Sequence, residues 1–161
     1  MSDDRELITS ASQFQAALRR GFAAIAEQGG REVWICDDDF SDWPLSDREV
    51  LDQLTHWAKP HRRLTMIARQ FDAVVRRHPR FVDWRRQWSH VMDCRSPEAD
   101  IADVLPSMFL APGVLLVRLS EPRVHRGVVS TEAAEYLRSR EQIDAITQRS
   151  VASFPAAVLG L

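Results

Sequence analysis

Four aspartates, Asp37, Asp38, Asp39 and Asp42, follow directly on the hydrophobic run Val33-Trp34-Ile35-Cys36. Like charges this close cost energy unless a cation, hydrogen-bond donors or water relieve them. Ligands of α/β proteins sit beyond the carboxyl ends of parallel strands, where this segment would lie. Asp37, Asp39, Asp42 and the neighbouring Trp43 are therefore candidate ligand or partner contacts, and a divalent metal or an arginine-rich partner would suit them. The plainer reading is an exposed acidic turn, with Trp43 and Leu45 anchoring it to the core. A calcium loop needs glycine at its sixth position and glutamate at its twelfth. Counted from Asp37, Asp42 and Arg48 stand there, so the pattern fails where its geometry is strictest.

The second candidate site is basic. Arg76, Arg77, Arg80, Arg85 and Arg86 fall within eleven residues, close to Trp84 and Trp88. Guanidinium groups grip phosphate bidentately and aromatic rings stack on bases, so a nucleic acid or phosphate ligand is one reading. The other is a core stripe, because Trp84 and Trp88 are four apart and share a helix face, with the arginines solvated opposite. Charge is also divided along the chain. Residues 1–58 hold 12 acidic and 5 basic side chains, net −7, and residues 59–95 hold 3 acidic and 10 basic, net +7.

Other chemistries find little support. The histidines, His56, His61, His78, His90 and His125, form no His-x-His, His-x-x-x-His or Glu-x-x-His set. Cys36 and Cys94 lack metal-ligand spacing and each closes a predicted strand, which suits buried thiols. Neither a Gly-x-Ser-x-Gly elbow nor a glycine-rich phosphate loop occurs. No cofactor is implied.

The elements that must position these residues alternate. Leu7–Thr9 reads as a strand, Gln13–Glu27 as a helix with Phe14, Ala17, Leu18, Phe22 and Ile25 on one face, and Glu32–Cys36 as a buried strand. Ser46 and Glu49 have capping-box spacing for a helix ending near Lys59. Leu64–Ala68 is a strand, and residues 70–87 are helix broken at His78-Pro79. His90–Cys94 is a strand, followed by an acidic connection over Ser96–Asp103. Ser107–Leu110 and Val114–Leu119 flank a Pro112-Gly113 turn. His125–Ser130 is a strand, and Thr131–Gln148 a helix with Ala133, Ala134, Leu137, Ile143 and Ile146 inward. The order predicts an α/β fold with a mixed, mostly parallel sheet flanked by helices. Residues 1–150 form one domain and residues 151–161 an apolar tail, which should pack on the domain or a partner.

At 161 residues, 45% apolar, the chain can bury a core, and its net charge of −2 gives no overall basic field. No apolar run reaches a membrane span, and the polar start lacks an export signal. A cytoplasmic, bacterial protein is expected. Of 21 basic residues only Lys59 is lysine, which restricts chemistry needing that residue at a fixed place.

The Asp-x-Asp at the end of Glu32–Cys36 resembles the signature of haloacid-dehalogenase-like phosphatases, whose first aspartate is the nucleophile and second the acid/base. That would make Asp37 and Asp39 a centre for metal-dependent phosphoryl hydrolysis. However, Lys59 comes too early for the family lysine, and no distal acidic pair follows a strand. Over residues 6–148 the order of elements resembles one half of the phospholipase-D-like fold. The strand ending in Asp37-Asp38-Asp39-Phe40-Ser41-Asp42-Trp43-Pro44-Leu45 looks like that of a family of short bacterial proteins related to it. Catalytic members of phospholipase-D-like families carry His-x-Lys-x4-Asp near a strand hairpin. Here Leu105, Ser107 and Pro112 take those three places, no histidine lies between His90 and His125, and no lysine follows Lys59. The resemblance therefore implies a fold without its family chemistry, serving as a non-catalytic binding or regulatory module. Such halves pair about a two-fold axis, and the divided charge suits a homodimer or another protein partner, with Trp43, Trp84 or Trp88 as apolar anchors.

Overall fold

The first helix is fixed at both ends by side chains the sequence places there. In the computed structural model, which describes residues 5–98 and 105–155, α1 spans Ala11–Gln28. Ser10 Oγ accepts the Gln13 N–H at 3.2 Å, while Gln13 Oε1 accepts from the N–H of Thr9 at 2.7 Å. The helix stops where Gly29 turns to φ 84°, a region glycine enters without a steric penalty. Its buried face is Phe14, Ala17, Leu18, Gly21, Phe22 and Ile25. Gly21 admits the Phe109 ring, which a Cβ would meet at 2.8 Å.

The strands are β1 Arg5–Ile8, β2 Glu32–Cys36, β3 Arg63–Ile67, β4 Met92–Pro97, β5 Ser107–Ala111, β6 Leu115–Glu121, β7 Arg126–Ser130 and β8 Ser150–Ala152. They make one sheet in the order β1-β7-β6-β5-β2-β3-β4-β8. The further helices are α2 Arg48–Trp57, α3 Asp72–Arg77, α4 Pro79–Gln87 and α5 Ala133–Gln148. The sheet is mixed, but parallel pairing is confined to β2–β3 and β3–β4, so it is not mostly parallel as expected. The β5–β6–β7 meander pairs antiparallel, and β1 and β8 cap the edges antiparallel as well.

Strand alternation divides the core in two. Val33, Ile35, Leu64, Met66, Phe109 and Val117 point towards α1–α4 in the larger cluster. Trp34, Cys36, Ile67, Met108, Leu110 and Leu116 form a smaller cluster with Ile143, Tyr136 and Ile146 of α5. The inward face of α5 is therefore Ser139 and Ile143, and Ala133, Ala134 and Leu137 are exposed, contrary to the sequence reading. Alanines and one leucine gave a false stripe there.

Another expectation changes. Ser46 caps nothing. The residue before α2 is Asp47, without a side-chain cap, and Ser46 Oγ donates instead to the Arg77 carbonyl at 3.0 Å. The described part of the tail starts in β8 and lies on the domain. Ser153 N–H donates to the Cys94 carbonyl, and Phe154 stacks on Phe71 with ring centroids 4.8 Å apart. Tail residues 156–161, with Val158, Leu159 and Leu161, lie outside the described residues, as does most of the acidic connection, residues 99–104.

Gly127 sits where β7 crosses β6 beside an irregularity at Leu119/Glu121. A Cβ there would stand 1.9 Å from the Arg118 carbonyl oxygen, a backbone atom that cannot swing away. Gly127→Ala should therefore cost about 2–4 kcal/mol of unfolding free energy, read from urea denaturation. Gly30→Ala, with nothing within 4 Å of its Cβ position, should lose only the smaller cost of its positive φ.

Candidate functional site

The acidic segment leaves the carboxyl end of β2, and its first carboxylate is half-buried. Asp37 Oδ2 accepts the N–H of Phe40 at 2.8 Å and of Asp39 at 3.2 Å. Its Oδ1 accepts the Ser107 hydroxyl at 2.5 Å. Burial raises the Asp37 pKa above the usual aspartate range, and the Ser107 hydroxyl and these two N–H groups offset part of that rise. The Trp43 indole N–H also favours the carboxylate, though it is buried outside hydrogen-bonding geometry. Cys36, next in the chain, is pushed far above the ordinary thiol range by burial and then by the charges of Asp37 and Asp38. Its thiol is not a nucleophile. Cys94 is likewise pushed up to about 12 by burial.

The rest of the loop follows from that anchor. Asp39 Oδ1 accepts the Ser41 N–H at 3.0 Å. Phe40 takes a left-handed φ of 61° and is fully buried against Trp43, with ring centroids 4.7 Å apart. Non-glycine residues occupy that region only when their surroundings hold them. The holder is His78. Its Nε2 lies 2.8 Å from the Phe40 carbonyl, which can only accept, so Nε2 carries the proton. Its Nδ1 is 3.1 Å from Ser46 Oγ. His78 is buried at the break between α3 and α4, where the following Pro79 keeps its backbone out of the helical region.

Of the sequence candidates, Asp37 and Asp39 are thus committed to the loop's own backbone. Trp43 is 2% exposed and packs on Phe14 and Phe40, so it presents almost no surface. Asp42 is exposed, with Oδ2 3.4 Å from His125 Nε2. Asp38 pairs with Arg69 at 3.1 Å. Among the described residues, no group of three or more His, Cys, Asp or Glu converges as a metal site. His78, Ser107 and His125 carry the site's geometry but were not singled out by sequence, since their partners lie 38, 70 and 83 positions away.

The basic candidates separate. Arg76, Arg77, Arg80 and Arg86 are exposed on α3 and α4. Arg85 points the other way, 7% exposed, donating to the Phe154 carbonyl at 3.2 Å under the tail. Trp84 is buried and donates to Thr55 Oγ1, while Trp88 keeps part of its surface. The Asp37 loop and the exposed arginines do not form one site: Ser46 and Arg80 meet only through a long 3.4 Å contact. Leu105 is buried, Ser107 opens β5, and Pro112 is exposed in the turn after it.

No family model matches the chain, and no curated protein matches it either. Solved structures do. TrmBL2, described as an archaeal chromatin protein with a novel mode of DNA binding, superposes with a TM-score of 0.65 at 9% identity, over 94% of this chain and 54% of that one. NucT from Helicobacter pylori gives 0.59 at 9% identity, over 92% of this chain and 98% of NucT. Phosphatidylserine synthase from Haemophilus influenzae Rd KW20 gives 0.57 at 11% identity, over 92% of this chain and 39% of that one. The chain spans about half of the first and less than half of the third. At these identities the likeness is one of fold, and the fold is phospholipase-D-like: a large mixed sheet flanked by helices, of the size of one NucT chain.

Proposed function

We propose that the chain is a binding or regulatory module on a phospholipase-D-like fold, without phosphodiester chemistry of its own. The observation that carries this reading is the Asp37–Ser107 hydrogen bond. Ser107 takes the place of the family's phosphate-gripping lysine, and its hydroxyl is held by a half-buried carboxylate that already accepts two backbone N–H groups. Leu105, in the histidine's place, is buried and has no nucleophilic atom. A metal-dependent phosphoryl centre on Asp37 and Asp39 would need carboxylate oxygens that this loop uses to fold itself.

Two partners suit the module. The four exposed arginines of α3 and α4 favour a polyanion, and one fold neighbour is described as binding DNA. A homodimer draws on the pairing of phospholipase-D-like halves and on the divided charge. Part of that division closes inside the subunit through Arg69–Asp38, and Trp88 is the one tryptophan of the three anchors that keeps surface. The cytoplasm remains the proposed compartment, as no described helix is long and apolar enough to cross a membrane.

Purified protein should turn over no generic phosphodiester, with or without divalent metal. Wild-type turnover lost in Asp37→Asn would reject the module reading. The same residue should report on stability. Because Asp37 binds its proton more tightly when folded, its contribution is full below the ordinary aspartate range and is lost as pH rises through the raised value. Asp37→Asn should flatten that dependence in urea titrations carried upward from the ordinary aspartate range. Its amide oxygen can still accept both N–H groups and its nitrogen can donate to Ser107. Asp37→Ala leaves those groups unpaired and should cost about 2–4 kcal/mol.

Titration with single-stranded and duplex oligonucleotides at two salt concentrations tests the basic face. Binding should weaken as salt rises, and Arg76→Ala with Arg80→Ala should weaken it further. No binding at low salt removes the nucleic-acid reading. For the dimer, sedimentation equilibrium should give twice the chain's 18.4 kDa at micromolar concentrations, and a constant 18.4 kDa would reject it.

A further inference from the structure

The α5 side of the sheet is only partly covered. α5 packs chiefly over β4, β5 and β8, and it meets the edge strand β1 through the Arg5–Glu135 pair. Leu7, in the middle of β1, is 73% exposed there. Between this bare edge and α5 lies a cavity of about 310 Å³, which is at the lower end of ligand-pocket sizes. Its walls bring together Arg5 from β1, Arg118 from β6, and Glu135, Arg138, Ser139 and Gln142 from α5.

Three guanidinium groups thus face one carboxylate. Arg5 Nε is 3.2 Å from Glu135 Oε1 and accounts for that charge. Arg118 is half-buried, and its one side-chain hydrogen bond is to the neutral Ser139 hydroxyl at 3.2 Å. No carboxylate lies within ion-pair distance of Arg118 or Arg138 among the described residues. Burial depresses the Arg118 pKa, Glu135 offsets this, and the like charge of Arg138 adds to the depression. A half-buried cation facing a second cation without its own anion is costly, and a bound anion would relieve both. Glu135 itself is no competitor for an anion: Oε1 is paired with Arg5, and Oε2 has no exposed surface and lies near the Ser130 hydroxyl, which favours the charged carboxyl.

We propose that this cavity binds a small phosphate monoester bearing hydroxyl groups, with Arg118 and Arg138 holding the phosphate and the Gln142 amide meeting a ligand hydroxyl. Two guanidinium groups match a phosphate dianion in charge and in bidentate geometry. Gln142 and Ser139 supply neutral contacts at the wall. The site lies on the α5 side of the sheet, is built by different residues from the Asp37 loop, and does not depend on the reading given to that loop.

The test is calorimetric titration of the full chain with glycerol 3-phosphate, inorganic phosphate and glycerol. Glycerol 3-phosphate should bind more tightly than phosphate, and glycerol not at all. Arg138→Ala, an exposed helix position, should weaken binding about tenfold or more, the size expected for a lost charged hydrogen bond. Arg118→Gln, checked for its melting temperature, should abolish binding, and Arg31→Ala, outside this cavity, should leave it unchanged. Equal binding of phosphate and glycerol 3-phosphate would overturn the ligand class. Absence of binding at millimolar ligand, or full binding by both Arg138→Ala and Arg118→Gln, would overturn the site.

Discussion

The half-buried carboxylate of Asp37 is the constraint on which this end of the molecule depends. Taking a carboxyl group out of water is costly unless donors replace the water it loses. Here they come from its own loop and from the far strand β5. That arrangement ties β2 to β5 and sets the turn that swings Phe40 into the core. The left-handed Phe40 then offers its carbonyl to His78, and the other nitrogen of His78 meets Ser46. One carboxylate therefore fixes a path running from β2 through the loop to the α3–α4 break. The hydrogen bonds of Asp37 and Asp39 run to the loop's own backbone and to β5, and Arg69 offsets the charge of Asp38.

The strands and helices were legible because their signals were local. The Pro79 start of α4, the Gly29 stop of α1 and the bounds of β2 all rest on residues adjacent in sequence. What could not be read was pairing at a distance. β8 is only three residues long and earns its place by pairing with β4 some fifty positions earlier. The capping box failed for the same reason. Ser46 has the right spacing to Glu49, but the carbonyl of Arg77 lies beside it in space and takes its hydroxyl. The site candidates fared likewise: aspartates after a strand were visible, while their consumption by Ser107 and the loop's amides was not.

Arginine composition gives the last step. A chain with nearly all its positive charge on arginine looks, from composition, like one made to hold polyanions. Much of that arginine is used within the fold. Arg140 lies over Trp34 with its guanidinium 4.3 Å from the ring centroid, and Arg62 lies over Trp57. Arg95 binds Ser150 and so joins β4 to β8, and Arg85 holds the Phe154 carbonyl beneath the tail. Guanidinium is planar and weakly hydrated, so it can pack on aromatic faces and bridge carbonyls where an ammonium would keep its water. Lysine at these positions would lose the stacking and the forked donors, which gives the arginine bias a structural cause. Ligand recognition has to be argued from the arginines the fold leaves over. Among the described residues these include Arg76, Arg77 and Arg80 on α3 and α4, and Arg118 with Arg138, which line one cavity.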